Sequence, residues 1–377
     1  MALITYLTRI QFEAGAIRIL GSELEMLGVT APLVVTDPGI VNAGLVARVI
    51  SAAGLPADTP VFDGTPENPT EAAAHAAVAL FRERKCDGVI GLGGGSPIDL
   101  AKAVSLLASH PGPLEQYAVI LGGLGRITAD KPPVIAIPTT AGTGSEVGRA
   151  ALITLEDGRK LGFISPFMIP DVALCDPELT LGLPPHLTAA TGLDAITHCI
   201  ETYLSPRFNP PAEAIALDGL RRAGRALRRA VADGGDLEAR SEMMMAALEG
   251  GMTFQKGLGA VHSISHPMGG LKGTRLHHGT INAVLLPPVL RFNQSAAGGK
   301  YPALVEAFGL APGADLASAI EALNADLGLP KTLSEMGVPE ASLPAVAAAA
   351  VKDHSTPSNP RPVDADDFRA IMAAVWA

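Results

Sequence analysis

Along residues 1–180, short apolar runs alternate with longer stretches in which apolar positions recur every three or four residues. The short runs are Pro32–Thr36 (PLVVT), Pro60–Asp63 (PVFD), Asp87–Leu92 (DGVIGL), Pro133–Ile137 (PVIAI) and Asp171–Cys175 (DVALC). Their length and β-branched content predict strands. The stretches AGLVARVISAAG and TEAAAHAAVALFRERK have helical spacing. Strand and helix in alternation predict a parallel sheet flanked by helices. The opening MALITYLTRIQFEAG lacks the basic, apolar and small-residue succession of a leader, and reads as one more strand.

After DPELTLGLPPHLT the pattern changes to long Ala-, Leu- and Met-containing segments broken by Gly and Pro. A boundary near Leu181–Pro185 follows, with an α/β nucleotide-binding domain over 1–180 and an all-helical domain over 181–377. The stretch STPSNPRPVDADD reads as a surface loop leading into a last helix.

Composition mainly excludes. Acidic residues outnumber basic ones 38 to 28, for a net charge of −10, so there is no electrostatic footprint for nucleic acid. Apolar stretches such as LPAVAAAAV fall short of the ~20 residues that span a bilayer, and no membrane segment is expected. Cys86, Cys175 and Cys199 are odd in number and widely spaced, which argues against a disulfide framework and for the cytoplasm.

Two polar turns follow predicted strands. In DGVIGLGGGSPIDLAKAV, glycines 93–95 let a backbone approach a diphosphate at a helix N-terminus. Ser96 suits the N-cap, Pro97 the first helical position, and Asp99 a returning capping contact. In AIPTTAGTGSEVG, Thr139, Thr140, Thr143 and Ser145 stand among glycines after the strand PVIAI. Turns at neighbouring strand ends of one parallel sheet are where a dinucleotide lies. Asp37, closing the strand PLVVT, is either a ribose acceptor that favours NAD over NADP or a turn aspartate before Pro38.

Four of the nine histidines fall in AVHSISHPMGGLKGTRLHHG, residues 260–279. His262 and His266 are four apart, as are Asp194 and His198 in TGLDAITHCIE, and that spacing sets each pair on one helical face. His277 or His278 arrives from the following loop. One carboxylate with neutral imidazoles suits Fe(II) or Zn(II). His75, His110, His186 and His354 are read as ordinary core histidines.

Taken together and in order, GLGGGSPIDLAKAV, IPTTAGTGSEV, CDPELT, TGLDAITHCIE and VHSISHP with a later HHG resemble the iron-containing (group III) alcohol dehydrogenase family. PENPT before the second helix and NPRP near the end extend the likeness over the whole chain. The resemblance implies a dehydroquinate synthase-like fold: an N-terminal dinucleotide-binding α/β domain and a C-terminal all-α metal domain, with the active site in a cleft between them. It implies Asp194, His198, His262 and His278 as metal ligands, with His266 placed for proton relay. Gly94, Gly95, Ser96, Thr139, Thr140, Thr143 and Lys160 would bind NAD(H), with Asp37 on the adenosine ribose. The reaction implied is hydride transfer between the nicotinamide and a metal-bound carbonyl or alkoxide, in a homodimer or larger homo-oligomer.

The segment PMGGLKGTRLH is two residues longer than the family's usual form; His278 is preferred to His277 because it directly precedes Gly279. Gln255 and Lys256 stand where small or amide residues are usual, and Phe254 with Lys256 is assigned to the substrate side. Lys256, Lys272 and Arg275 flank the metal segments, which suggests an ω-hydroxy acid and its semialdehyde as the alcohol and aldehyde. The alternatives are a metal-dependent lyase or polyol-phosphate dehydrogenase of the same plan, or a non-catalytic nucleotide-binding scaffold.

Overall fold

The computed structural model describes Ile4, Tyr6 and residues 8–377 other than Lys272, so the expectation for Lys272 lies outside the described residues. The chain divides into two compact units. The first holds Tyr6–Thr140 and Ser145–Gly182. Its strands are β1 (Arg9–Phe12), β2 (Pro32–Val35), β3 (Val61–Phe62), β4 (Gly88–Gly93), β5 (Val134–Pro138), the hairpin β6 (Ala150–Thr154) and β7 (Lys160–Ile164), and β8 (Val172–Cys175). Six of them form one parallel sheet in the order β1-β8-β5-β4-β2-β3. Helices α1 (Leu20–Met26), α2 (Pro38–Asn42), α3 (Leu45–Ala52), α4 (Glu71–Glu83) and α5 (Gly95–Ser109) connect them.

Strands β2, β4, β5 and β8 are buried throughout. Successive side chains feed opposite cores: Leu33 and Val35 join one cluster, Val34 and Ile90 the other. Burial on both faces explains why the sequence shows continuous apolar runs rather than alternation. The order β5-β4-β2 brings Thr139, Gly93 and Thr36 to adjacent strand ends.

The β6–β7 hairpin is antiparallel and was not anticipated. Its signal is present, since Asp157-Gly158 lies between two apolar runs and Gly158 takes φ +90°. The α5 cap also differs from expectation. Helix α5 starts at Gly95 with Gly94 as N-cap and no side-chain cap, and Ser96 donates instead to the carbonyl of Glu67. Asp99 accepts from the Ser145 hydroxyl at 2.5 Å and from Leu152 N–H at 2.9 Å. The buried Lys102 ammonium, one turn on, donates to Ser145 Oγ and to the carbonyls of Gly148 and Ala150. Asp99 and Lys102 thus bind α5 to the hairpin, and Ser145 is part of that brace.

The second unit joins Ala141–Gly144 to Leu183–Ala377. It is built of α6 (Pro185–Leu204), α7 (Pro210–Ala232), α8 (Leu237–Met252), α9 (Ala260–Met268), α10 (His278–Ala297), α11 (Tyr301–Ala307), α12 (Leu316–Asp326), α13 (Leu343–Ala350) and α14 (Ala365–Ala373). Helix α6 is buried continuously from Thr188 to Leu204, the signature of a helix surrounded by others. The segment expected as a surface loop is partly core. Ser355, Ser358 and Asn359 are buried, and Asn359 exchanges amide hydrogen bonds with Asn293 while accepting from Ala260 N–H. Among the described residues no helix is long and apolar enough to cross a membrane.

Candidate metal centre and cofactor turn

Helix α6 presents Asp194, His198 and Glu201 at intervals of four and three, so all three leave one side of a helix that has no solvent face. Helix α9 carries His262 and His266. Its first turn is held by two acceptors, Asn359 Oδ1 for Ala260 N–H and Glu201 Oε1 for Val261 N–H. Helix α10 begins at His278, with His277 as its N-cap residue.

Asp194 Oδ1 is the meeting point. It lies 3.4 Å from His198 Nε2 and 3.7 Å from both His262 Nε2 and His278 Nε2. His278, and not His277, is therefore the one brought to the carboxylate. The imidazoles of His198 and His262 stack at 4.7 Å.

The far nitrogens decide what this set can bind. His262 Nδ1 is 2.6 Å from Glu201 Oε2 and His198 Nδ1 is 3.2 Å from the Gly142 carbonyl oxygen. Neither oxygen has a hydrogen to give, so each Nδ1 is the donor, and in the neutral form of each ring Nε2 turns its lone pair toward Asp194. The Asn282 amide nitrogen fits that assignment, at 2.7 Å from Asp194 Oδ1, 3.1 Å from His278 Nε2 and 3.3 Å from His262 Nε2. An N–H group drawn in among one carboxylate and two imidazole acceptors marks a place built for positive charge. The residues fit a divalent cation.

Burial opposes ionisation of Asp194, but His198, His278 and His262 outweigh it and hold the carboxyl far below its usual range. Burial pushes His198 down to about 4 against the pull of Asp194, which keeps it neutral. His262 is buried too, yet its bonds to Asp194 and Glu201 raise it to about 9, so without a cation its Nε2 takes up the proton that a metal would displace.

His266 lies beside this set, its ring 5.6 Å from His262 and 5.7 Å from His278. Its Nδ1 meets Asp353 Oδ2 at 2.9 Å, and His354 stacks on it at 5.2 Å. His354 is thus part of the histidine cluster rather than an isolated core residue. His110 is a satisfied core histidine, bonded to Ser109 and Thr128. His75 and His186 are exposed, contrary to the expectation for them.

Phe254 packs edge-on against His198 at 4.7 Å. Lys256 does not serve the substrate side. It is 1% exposed, and its ammonium donates to the carbonyls of Thr202, at 2.9 Å, Tyr203, at 3.1 Å, and Ser205, with Glu213 at 3.2 Å. A cation there closes the C-terminal end of α6, where the last carbonyls lack helical partners.

At the cofactor turn, Gly93 takes φ +145°, and a methyl group there would strike Pro97 at 2.7 Å. The N-terminus of α5, with Gly94 and Gly95, opens beside Thr140, whose side chain would lie 3.4 Å from a methyl on Gly94. The hydroxyls of Thr139 and Thr140 are buried without a hydrogen-bond partner, as are those of Thr36 and Thr65, which the sequence reading missed. Buried hydroxyls left unpaired are costly, and a ligand rich in oxygen would satisfy them. Asp37 is the turn aspartate that caps α2, with Oδ1 accepting from Ile40 N–H at 3.1 Å, and its Oδ2 lies 3.5 Å from where a Gly93 side chain would start. Lys160 donates to Asn68 Oδ1 at 2.8 Å. Thr143 belongs to the Ala141–Gly144 segment of the second unit.

The chain is similar to known proteins over its whole length. The iron-containing alcohol dehydrogenase profile matches residues 8–177, and the C-terminal profile of the Fe-containing alcohol dehydrogenase family matches 188–376. A 4-hydroxybutyrate dehydrogenase of Cupriavidus necator is 53% identical over 99% of both chains. A crystal structure of 1,3-propanediol oxidoreductase superposes with a TM-score of 0.93 at 37% identity, covering 99% of this chain and 100% of that one. Sulfoacetaldehyde reductase of Bifidobacterium kashiwanohense, solved with NAD+, has a TM-score of 0.88 at 26% identity over 100% of this chain and 98% of that one. The chain belongs to the iron-containing alcohol dehydrogenase family and is an oxidoreductase of CH–OH groups.

Proposed function

We propose that the protein interconverts 4-hydroxybutyrate and succinic semialdehyde with NAD(H), with iron(II) held by Asp194, His198, His262 and His278. The observation that carries the metal set is the convergence of imidazole lone pairs on Asp194 Oδ1, fixed by the acceptors behind His198 and His262. Zinc suits the same donors, and the family description favours iron. A bound divalent cation supplies a Lewis acid for the substrate oxygen.

The remaining work falls to the chain itself. Oxidising the alcohol releases a hydride to NAD+ and a proton. His266, its Nδ1 fixed by Asp353, holds that proton at Nε2 and passes it on. Phe254 packs on His198 and limits the room beside it. The uncapped first turn of α5 and the Thr139 and Thr140 hydroxyls receive the dinucleotide's polar groups. Asp37 disfavours a 2′-phosphate and supports NAD over NADP.

The relative at 53% identity supports the hydroxy acid. With Lys256 engaged at α6, Arg275 is the described basic group that faces solvent in the loop between the two metal-bearing helices, and it is proposed to hold the carboxylate. The test is steady-state turnover with NADH and NADPH across an aldehyde panel, on protein purified without chelator and assayed for metal. Succinic semialdehyde should exceed butanal in kcat/KM by about tenfold to a hundredfold, the worth of a charge-assisted hydrogen bond of about 1.5–3 kcal/mol. A preference for butanal would overturn the anion contact. In the same assay Lys256→Met should keep that preference yet lower stability by about 3 kcal/mol, since it leaves the buried carbonyls of Thr202 and Ser205 without their lysine donor, while Lys300 still holds Glu213 and the Tyr203 carbonyl. Loss of the preference would return Lys256 to the substrate side.

We also place the protein in the cytoplasm as a homodimer or larger assembly. Three free, buried cysteines support a reducing compartment. Exposed Ile120, Leu121 and Leu124 supply apolar surface for association.

A further inference from the structure

We propose that Glu201 sets the metal affinity of this site by fixing which ring nitrogen of His262 faces the cation. The inference rests on the reading of Asp194, His198, His262 and His278 as a metal site. Glu201 stands on α6, three residues after His198, and is 4% exposed. Both of its oxygens are engaged by α9: Oε1 accepts Val261 N–H at 2.7 Å, and Oε2 accepts from His262 Nδ1 at 2.6 Å. Gly259 closes the space around it, since a methyl group there would lie 2.9 Å from Oε1. The carboxyl group therefore has one orientation.

Two effects follow from that orientation. A carboxylate can only accept, so His262 must carry its hydrogen on Nδ1, and the Nε2 lone pair is held toward Asp194, 3.7 Å away. The same group fixes the first turn of the helix that carries the ring. Carboxylates behind ligating histidines act in this way elsewhere, and their loss typically costs about 10–100-fold in metal affinity. A role confined to capping α9 would need only Oε1.

Glu201→Gln separates these roles. The amide keeps the shape and one acceptor. If that oxygen stays on Val261 N–H, the NH2 group faces His262 Nδ1 and drives the ring hydrogen to Nε2, where it opposes a cation. The experiment titrates metal-free wild-type and E201Q protein with zinc against a competing chromogenic chelator, and records the melting temperature of each metal-free protein. Zinc affinity should fall about 10–100-fold in E201Q while the metal-free melting temperature moves by only a few degrees. Equal zinc affinity in the two proteins would overturn the role of Glu201 alone. Wild-type protein that binds no zinc would overturn the site itself.

Should E201Q fail to fold, the zinc-loaded wild-type enzyme answers directly. Zinc is diamagnetic, and a His262 Nδ1–H bonded to a carboxylate should give a far-downfield, slowly exchanging ring N–H resonance. Its absence would refute the assignment.

Discussion

His262→Ala should lose bound metal and turnover together, whereas His266→Ala should keep its metal and lose rate. His262 is 1% exposed and lies between two carboxylates, 2.6 Å from Glu201 and 3.7 Å from Asp194. Removing the ring deletes one of the four proposed ligands and leaves Glu201 facing a cavity. Metal should then be absent after dialysis, with kcat/KM down by at least about a thousandfold, the scale of a lost Lewis acid worth several kcal/mol. In the proposed reaction His266 contributes a proton path instead, worth about 10²–10⁴-fold. Metal content by mass spectrometry beside steady-state kinetics distinguishes the two. Wild-type turnover in metal-stripped enzyme would dispose of the metal role altogether. pH adds a check with a definite sign. Without a cation His262 holds a proton up to a pKa of about 9, and metal must displace it, so metal retention should weaken as pH falls below that value.

How much of this the chain reveals without coordinates depends on how local each feature is. Buried parallel strands are continuous apolar runs, so β2, β4, β5 and β8 were visible as such. The pairs Asp194/His198 and His262/His266 were visible because helical spacing is itself the geometric statement. Their partners were not. Asp353 meets His266 from 87 positions away, and Asn359 meets Ala260 from 99. No local pattern foretells either contact. Glu201 was within reach of the spacing argument, three residues past His198, but a glutamate at the end of a helical motif ordinarily reads as solvated. Lys256 failed in the opposite sense. Its position near the proposed metal residues suggested an anion pocket, while its partners are backbone carbonyls, which carry no signature in side-chain chemistry, and Glu213 from 43 positions away. The cap of α5 was misassigned because Ser-Pro is a strong local signal, and close packing of α5 on β4 overrode it. At Gly91 a side chain would lie 2.9 Å from Ala101 Cβ and 3.2 Å from Ile98 Cα.

That kind of backbone proximity sets up the second large effect, at Gly279. This glycine follows His278 at the start of α10, and a Cβ there would lie 2.2 Å from the Ala190 carbonyl oxygen, 2.8 Å from its carbon and 3.3 Å from Asp194 Cβ. The obstacle is the backbone of α6, so no side chain can rotate to make room. In Gly279→Ala, α10 has to move away from α6 at the level where His278 and Asp194 stand 3.7 Å apart. Overpacking a close-packed core costs about 1–3 kcal/mol, and a backbone clash belongs at the upper end. The displacement also separates ligands borne by the two helices, so metal affinity should fall by at least about 100-fold, the upper end of what disturbed ligand orientation costs. Gly298→Ala, at the other end of the same helix, is the matched control. A methyl group there meets nothing within 4 Å, and its stability and zinc affinity should stay at wild-type values. Thermal unfolding of the metal-free proteins, read beside a zinc titration, checks both. If Gly279→Ala loses stability but binds zinc as tightly as wild type, the ligands follow local helix geometry and the α6–α10 contact is only packing. If both fall while Gly298→Ala is silent, the distance between these two helices is what holds the four ligands in register.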